Sequence, residues 1–174
     1  MKKILLTLIA VITMSASAFA QANSDRITFG MGVMYENSLD ATLAWEHETK
    51  YHNAWEFFVN GNVKWDECQS CGHICPDSFW KNNRTWGVGA AYKPCVVRGR
   101  NHYGNLRIGA SAGSNTDKFL GGIHVGYEHN FALRKGWVLF VQAKCDLLIP
   151  DREDLFREGI TVGFKIPTIK KKSR

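Results

Sequence analysis

The sequence predicts an all-β fold, an eight-stranded antiparallel up-and-down transmembrane β-barrel. Three observations carry that expectation. Eight segments alternate apolar and polar residues with a period of two. The N-terminus reads as an export signal. The polar faces of the segments are rich in small residues and carry charges of both signs. A strand sends successive side chains to opposite faces, and lipid-facing barrel strands are apolar outside, polar inside and aromatic near both ends. Composition agrees: Gly is abundant at 16, Pro scarce at 4, and aromatics reach 12%.

The export signal comes first. Met1-Lys2-Lys3 precedes an apolar run from Ile4 to about Met14, and Ala18-Phe19-Ala20 offers a cleavage site before Gln21. The run is too short to persist as a transmembrane helix. No Cys follows the cleavage site, which argues against a lipoprotein anchor. Residues 1–20 are therefore read as a signal peptide, 21–169 as the barrel and 170–174 as a basic tail. Losing Lys2 and Lys3 lowers the formal net charge from +6 to +4. Part of that excess is the tail Lys170-Lys171-Lys172-Ser173-Arg174. No basic stripe with interleaved aromatics points to nucleic acid, so direct nucleic-acid binding is not expected.

The eight strands follow in order. Ile27, Phe29, Met31, Val33 and Tyr35 oppose Arg26, Thr28, Gly30, Gly32, Met34 and Glu36. Asn37-Ser38 is a turn signal. Leu39, Ala41, Leu43, Trp45 and His47 then oppose Asp40, Thr42, Ala44, Glu46 and Glu48, and 49–53 turns the chain. The third strand, 54–66, sets Trp55, Phe57, Val59, Gly61, Val63 and Trp65 against Ala54, Glu56, Phe58, Asn60, Asn62, Lys64 and Asp66. After a long connection, 67–83, the fourth carries Trp86, Val88, Ala90 and Tyr92 against Thr85, Gly87, Gly89, Ala91 and Lys93. A basic connection at 94–102 leads to the fifth, with Leu106, Ile108, Ala110 and Ala112 against Asn105, Arg107, Gly109, Ser111 and Gly113. The sixth sets Phe119, Gly121, Ile123, Val125 and Tyr127 against Leu120, Gly122, His124, Gly126 and Glu128, and 130–136 turns it. The seventh alternates from Trp137 to Leu147, with Gln142, Lys144 and Asp146 on its polar face. The eighth sets Ile160, Val162, Phe164 and Ile166 against Gly159, Thr161, Gly163 and Lys165. The even strand count is the smallest common size for such barrels.

A lipocalin-like barrel would show the same alternation with the faces exchanged. Three features favour lipid outside. The polar face is loaded with Gly and Ala, which the tight interior of eight strands requires and a watery surface does not. Tyr35, Trp55, Trp65, Trp86, Tyr92, Tyr127 and Trp137 lie near the ends of the apolar face, as in two interfacial girdles. The polar-face charges also nearly cancel. Asp40, Glu46, Glu48, Glu56, Glu128 and Asp146 stand against Arg26, Lys64, Lys93, Arg107, Lys144 and Lys165. An unpaired buried charge is very costly, so this set is expected to form a lumen charge network that plugs the barrel. His124 with Glu128 reads as a structural pair. With both chain ends in the periplasm, the 67–83, 114–117 and 149–156 connections are extracellular.

Cys68, Cys71, His73 and Cys75 form the one dense cluster of chemistry-bearing side chains. Three thiols and an imidazole suit zinc, but His73 and Cys75 follow too closely for a usual knuckle. Gly72 interrupts the Cys-x-x-Cys-His pattern of haem attachment. A disulfide stapling an exported loop is the plainer reading; the pairing among Cys68, Cys71 and Cys75 stays open. Cys95 lies a strand length away, beyond disulfide reach, and Cys145 reads as a small apolar residue on the lipid face. Ser70, His73, Asp77 and Ser78 share the loop without a nucleophile-elbow pattern. No catalytic residue, metal or cofactor is expected. Surface adhesion, envelope stabilisation and, less favoured, lipid modification are the alternative roles.

Residues 119–166 resemble a known family. Gly121-Gly122, Tyr127-Glu128, Val138-Leu139-Phe140-Val141, Asp154-Leu155-Phe156-Arg157 and the final Gly-x-Thr-x-Gly-x-Lys strand are similar to the C-terminal half of the TraO family of conjugative transposon proteins. Chain length and the N-terminal signal agree. The Cys-rich loop and the Lys-rich tail depart from that pattern. The resemblance implies an outer-membrane component of a conjugal DNA transfer apparatus, with a structural or anchoring role. Its partners would be outer-membrane lipid and other transfer proteins. The expectation is checked by detergent extraction: the protein should fractionate with the outer membrane and shift its gel mobility on heating. A soluble barrel would appear free in periplasm or medium.

Overall fold

The computed structural model describes residues 22–35, 37–49, 51–64, 84–115, 117–149 and 155–168. Nine strands are assigned: β1 (Ala22–Met34), β2 (Ser38–Thr49), β3 (Ala54–Lys64), β4 (Arg84–Lys93), β5 (Cys95–Arg98), β6 (His102–Ser114), β7 (Phe119–Ala132), β8 (Val138–Ile149) and β9 (Phe156–Pro167). They run β4-β3-β2-β1-β9-β8-β7-β6-β5, and β4 also pairs with β6, which closes the sheet. Both β4 and β5 pair with β6, so β5 prolongs the wall strand begun by β4 beyond Pro94. The result is a closed eight-stranded antiparallel barrel.

The connection expected at 94–102 thus contains a strand. Val96 and Val97 suit extended backbone, Leu106 N–H donates to the Pro94 carbonyl at 3.0 Å, and Gly99 N–H donates to His102 O at 2.8 Å. The turn expected to begin at residue 130 begins later. Asn130 is fully buried and its amide donates to Asn105 Oδ1 at 3.1 Å, so an amide that resembles a turn signal is instead held by its cross-strand neighbour. Asn37 takes the left-handed conformation (φ 56°) that short polar side chains tolerate. Ser38 already belongs to β2. Trp65, the Cys-rich loop, the signal region and the basic tail lie outside the described residues.

The alternation keeps one phase throughout. Ile27, Phe29, Met31, Leu43, Val59, Ile108, Val125 and Val162 are exposed, whereas Thr28, Glu46, Glu56, Lys93, Asn105, His124 and Lys165 are buried. This inverts a soluble barrel: Val33 is 63% exposed while Lys93 is 0% exposed. An outward band this apolar is a surface for hydrocarbon, far beyond the patch size a water-soluble monomer carries. Inside, two rings lie over glycines. A Cβ on Gly30 or Gly163 would collide with the Phe140 ring, and one on Gly89 with Phe58. Backbone of the adjoining strands or the Thr161 side chain crowds the same positions, so ring and wall together leave no space for a side chain there.

A charge placed at mid-height of the outer face should be costly. Val125→Arg is expected to lower folding stability in lipid by about 2–4 kcal/mol, and Phe119→Arg, at a strand end, by about 0–1 kcal/mol. Urea titration of vesicle-reconstituted protein measures both; equal costs would contradict the membrane-facing assignment.

Candidate functional site

The lumen holds ionic layers built from alternate positions on many strands. In the central layer Lys93 Nζ, at the end of β4, donates to Glu46 Oε2 and Glu128 Oε2 at 2.8 Å each, and also pairs with Glu56. Lys165 Nζ, from β9, donates to Glu46 Oε2 at 2.7 Å and Glu128 Oε1 at 2.6 Å. Arg107 Nε donates to Glu56 Oε1 at 2.8 Å, and its guanidinium lies 4.4 Å from the centre of the Phe58 ring. Three carboxylates therefore meet three cations. All six residues are buried. The oxygens of Glu46, Glu56 and Glu128 lie within 4.8 Å of one another, a spacing that would suit a hard cation. The Lys93 ammonium bonds to all three and supplies that cation from the chain itself.

Towards the end remote from the termini, Lys144 Nζ donates to Asp40 Oδ2 at 2.7 Å and lies 3.4 Å from Asp146 Oδ2. His124 Nδ1 is 2.7 Å from Asp146 Oδ1, and its Nε2 is 2.7 Å from Ser111 Oγ. His124 therefore does not pair with Glu128. On one strand, four residues span about 13 Å, whereas Asp146 lies directly opposite His124 in the β7–β8 register. The Ser111–His124–Asp146 connectivity matches a serine-hydrolase relay. The cavity it faces, lined also by Asn60, Thr85, Trp86, Leu120 and Arg157, is about 20 Å³. That is room for roughly one water.

At the terminal end, where β1 begins and β9 ends, Arg26 pairs with Glu48 and donates to Tyr103 Oη at 2.9 Å. Glu48 also meets His52 Nδ1 at 2.5 Å, and the His52 ring stacks on Tyr103 at 4.3 Å. No sequence motif marks Tyr103, His52, Ser111, Asn105 or Asn130 as partners, although strand phase places most of them inside.

Of the expected charge network, the structure brings together Asp40, Glu46, Glu56, Lys93, Arg107, Glu128, Lys144, Asp146 and Lys165. Lys64 is half-buried at the far end of β3, opposite Ser38 in the register. Arg157 joins the buried cations and donates to Thr85 Oγ1 at 2.5 Å. Among the described residues, six lumenal carboxylates (Asp40, Glu46, Glu48, Glu56, Glu128, Asp146) share the interior with buried Lys93, Arg107, Lys144, Arg157 and Lys165 and with half-buried Arg26 and Lys64.

The girdle residues divide between the ends. Trp55 and Tyr92 meet at 4.9 Å near the terminal end, where Trp137 also lies and Tyr127 Oη sits 2.9 Å from His129 Nδ1. Tyr35 and Trp86 occupy the opposite end. Trp45, stacked on Phe57 at 5.8 Å, adds to the terminal-end aromatics. Cys95 and Cys145 are free thiols, Cys145 on the lipid-facing side.

Closed topology, an apolar exterior and an ion-paired interior together define an outer-membrane-type β-barrel with a filled lumen. No known family profile matches this chain, and no curated protein matches it. Similar solved structures include a de novo designed transmembrane β-barrel, at 10% identity and TM-score 0.49, covering 83% of this chain and 95% of that one. A major outer membrane protein from Thermus thermophilus is similar at 12% identity and TM-score 0.45, covering 84% of this chain and 100% of that one.

Removing one central cation should strand a buried carboxylate. Lys93→Met is expected to cost about 3–5 kcal/mol. Adding Glu128→Gln to it restores charge balance and should recover part of the loss in the same urea titration. A double variant that is additively worse would show that the cluster is not electrostatically coupled.

Proposed function

We propose that this protein is an anchored, non-conducting scaffold of the outer membrane and serves a conjugal DNA transfer apparatus. The observation that supports a scaffold is the ion-paired lumen. Eight strands leave an interior just wide enough for side chains, and here paired long side chains occupy it. Ions entering that lumen would have to break buried pairs, each at a high desolvation cost. The transfer role comes from the resemblance of residues 119–166 to TraO. The export signal would deliver the chain to the outer membrane, with the termini in the periplasm. In this reading the barrel works without catalysis, cofactor or direct nucleic-acid contact. It offers lipid an apolar belt and offers other transfer proteins its connections.

Two measurements test it. Reconstitution in planar bilayers should give no large, steady conductance; a sustained open state would refute the plug. Deletion of the gene should lower mating frequency, restored by the wild-type copy. Unchanged mating would instead favour an adhesion or envelope-stabilising barrel.

A further inference from the structure

The lumen is ion-paired, but the two ends of the barrel are unbalanced in charge. The terminal-end connections, 49–53, 94–101 and 133–137, contain Lys50, Arg98, Arg100, Arg134 and Lys135 and no Asp or Glu. The opposite connections, 35–37, 65–83, 115–118 and 150–155, contain eight Asp and Glu against three Lys and Arg.

The terminal end also has a concave site. A cleft of about 110 Å³ opens between the turn at 99–102 and the turn at 133–137. Ala132 N–H donates to Asn101 O at 2.8 Å and ties the two turns together. One wall is apolar, made by Leu133, Trp137 and Val138; the other carries Arg100 and His102. Arg26 and His52 also line it. Arg26 uses Nη1 on Glu48 and Tyr103, and its buried Nε has no protein partner among the described residues. Trp137 is 41% exposed, and Leu133 beside it is exposed too.

We infer that this cleft binds the phosphate of an anionic phospholipid headgroup. The chemistry favours an oxyanion: Arg26, His52, Arg100 and His102 line one cleft, and Glu48, the lumenal carboxylate at this end, is already engaged by Arg26 and His52. The position selects lipid over a soluble anion. Trp137 belongs to the terminal-end girdle, so the cleft opens at headgroup depth. Its apolar wall can cover the glycerol and first methylenes while the cations take the phosphate. The inference goes beyond the scaffold reading and survives even if the barrel serves no transfer apparatus.

Native mass spectrometry of the folded barrel in detergent tests it, with phosphatidylglycerol, phosphatidylcholine, glycerol phosphate and inorganic phosphate as separate probes. Phosphatidylglycerol should bind in preference to phosphatidylcholine. A basic side chain near a membrane contributes about 1 kcal/mol to anionic-lipid binding, so Arg100→Gln should weaken that adduct roughly fivefold. Arg100→Lys should retain most of it. Arg98→Gln, whose guanidinium lies 5.5 Å over the Tyr51 ring and off the cleft, should weaken it clearly less. Heat-modifiable mobility confirms that each variant is folded. Equal loss from Arg98→Gln and Arg100→Gln would reduce the site to a diffuse charged rim. No preference over phosphatidylcholine, or equal binding of the soluble phosphates, would overturn the lipid assignment. Displacement of the lipid by a phosphate-free acidic peptide would point to a protein partner and do the same.

Discussion

Ion pairing inside the lumen is the constraint on which the rest of this structure depends. An eight-stranded wall leaves no room for a hydration shell around each charge. Every lumenal carboxylate must therefore find a partner inside the wall, for most of them a cation from another strand. Lys93 and Lys165 bridge Glu46 and Glu128, and Lys93 also reaches Glu56. These five residues come from β2, β3, β4, β7 and β9, so the cluster ties distant parts of the wall across the interior. A register slip on any one strand would turn its charged residue outward into lipid and leave its partners unmatched. The pairing thus specifies register as well as filling space. The rings of Phe58 and Phe140 serve the same end, Phe58 lying over Gly89 and Phe140 over Gly30 and Gly163.

The outside obeys the opposite rule. Hydrocarbon exerts no hydrophobic pressure to hide Met31, Val33 or Ile160, so they stay exposed and the fold gains little by covering them. Stability must come from backbone pairing, from the closed ladder that leaves no free edge, and from the lumen. Polar interior contacts that would be secondary in a soluble core are central here. This is also why the described core has so few apolar members: Ala44, Phe58 and Ala91 make its one hydrophobic cluster.

The strand phase was legible in the sequence because a period of two survives translation into structure unchanged. Glu46, Glu56, Lys93 and Lys165 could all be placed inside from parity alone. Their partners could not, since pairing across a closed lumen depends on the stagger of all eight wall strands, which parity does not encode. His124 shows the difference: proximity in sequence suggests Glu128, whereas the ladder delivers Asp146 from the next strand. Strand ends were also less legible than strand phase. Asn130 has the composition of a turn but is held inside by Asn105, and Cys95-Val96-Val97 looks like part of a basic loop but extends the wall. The cleft between the 99–102 and 133–137 turns carries no motif, because it is formed by two connections more than thirty residues apart.

An ion-paired lumen has a consequence for how the barrel meets its surroundings. The described lumenal carboxylates are paired with cations inside the wall. The electrostatic character of each end is then set by its own connections. Screening confines exposed charges to about 8–10 Å at physiological salt, so each end acts on the surface immediately beside it. The terminal-end connections carry basic groups without a carboxylate among them. The Arg26–Glu48–His52 layer separates that end from the central pairs. An anion held at the terminal mouth can therefore be gained or lost without unsettling the network that keeps the barrel folded. Stability resides in the centre and recognition at the ends, and the ion-paired lumen is what allows the two to vary independently.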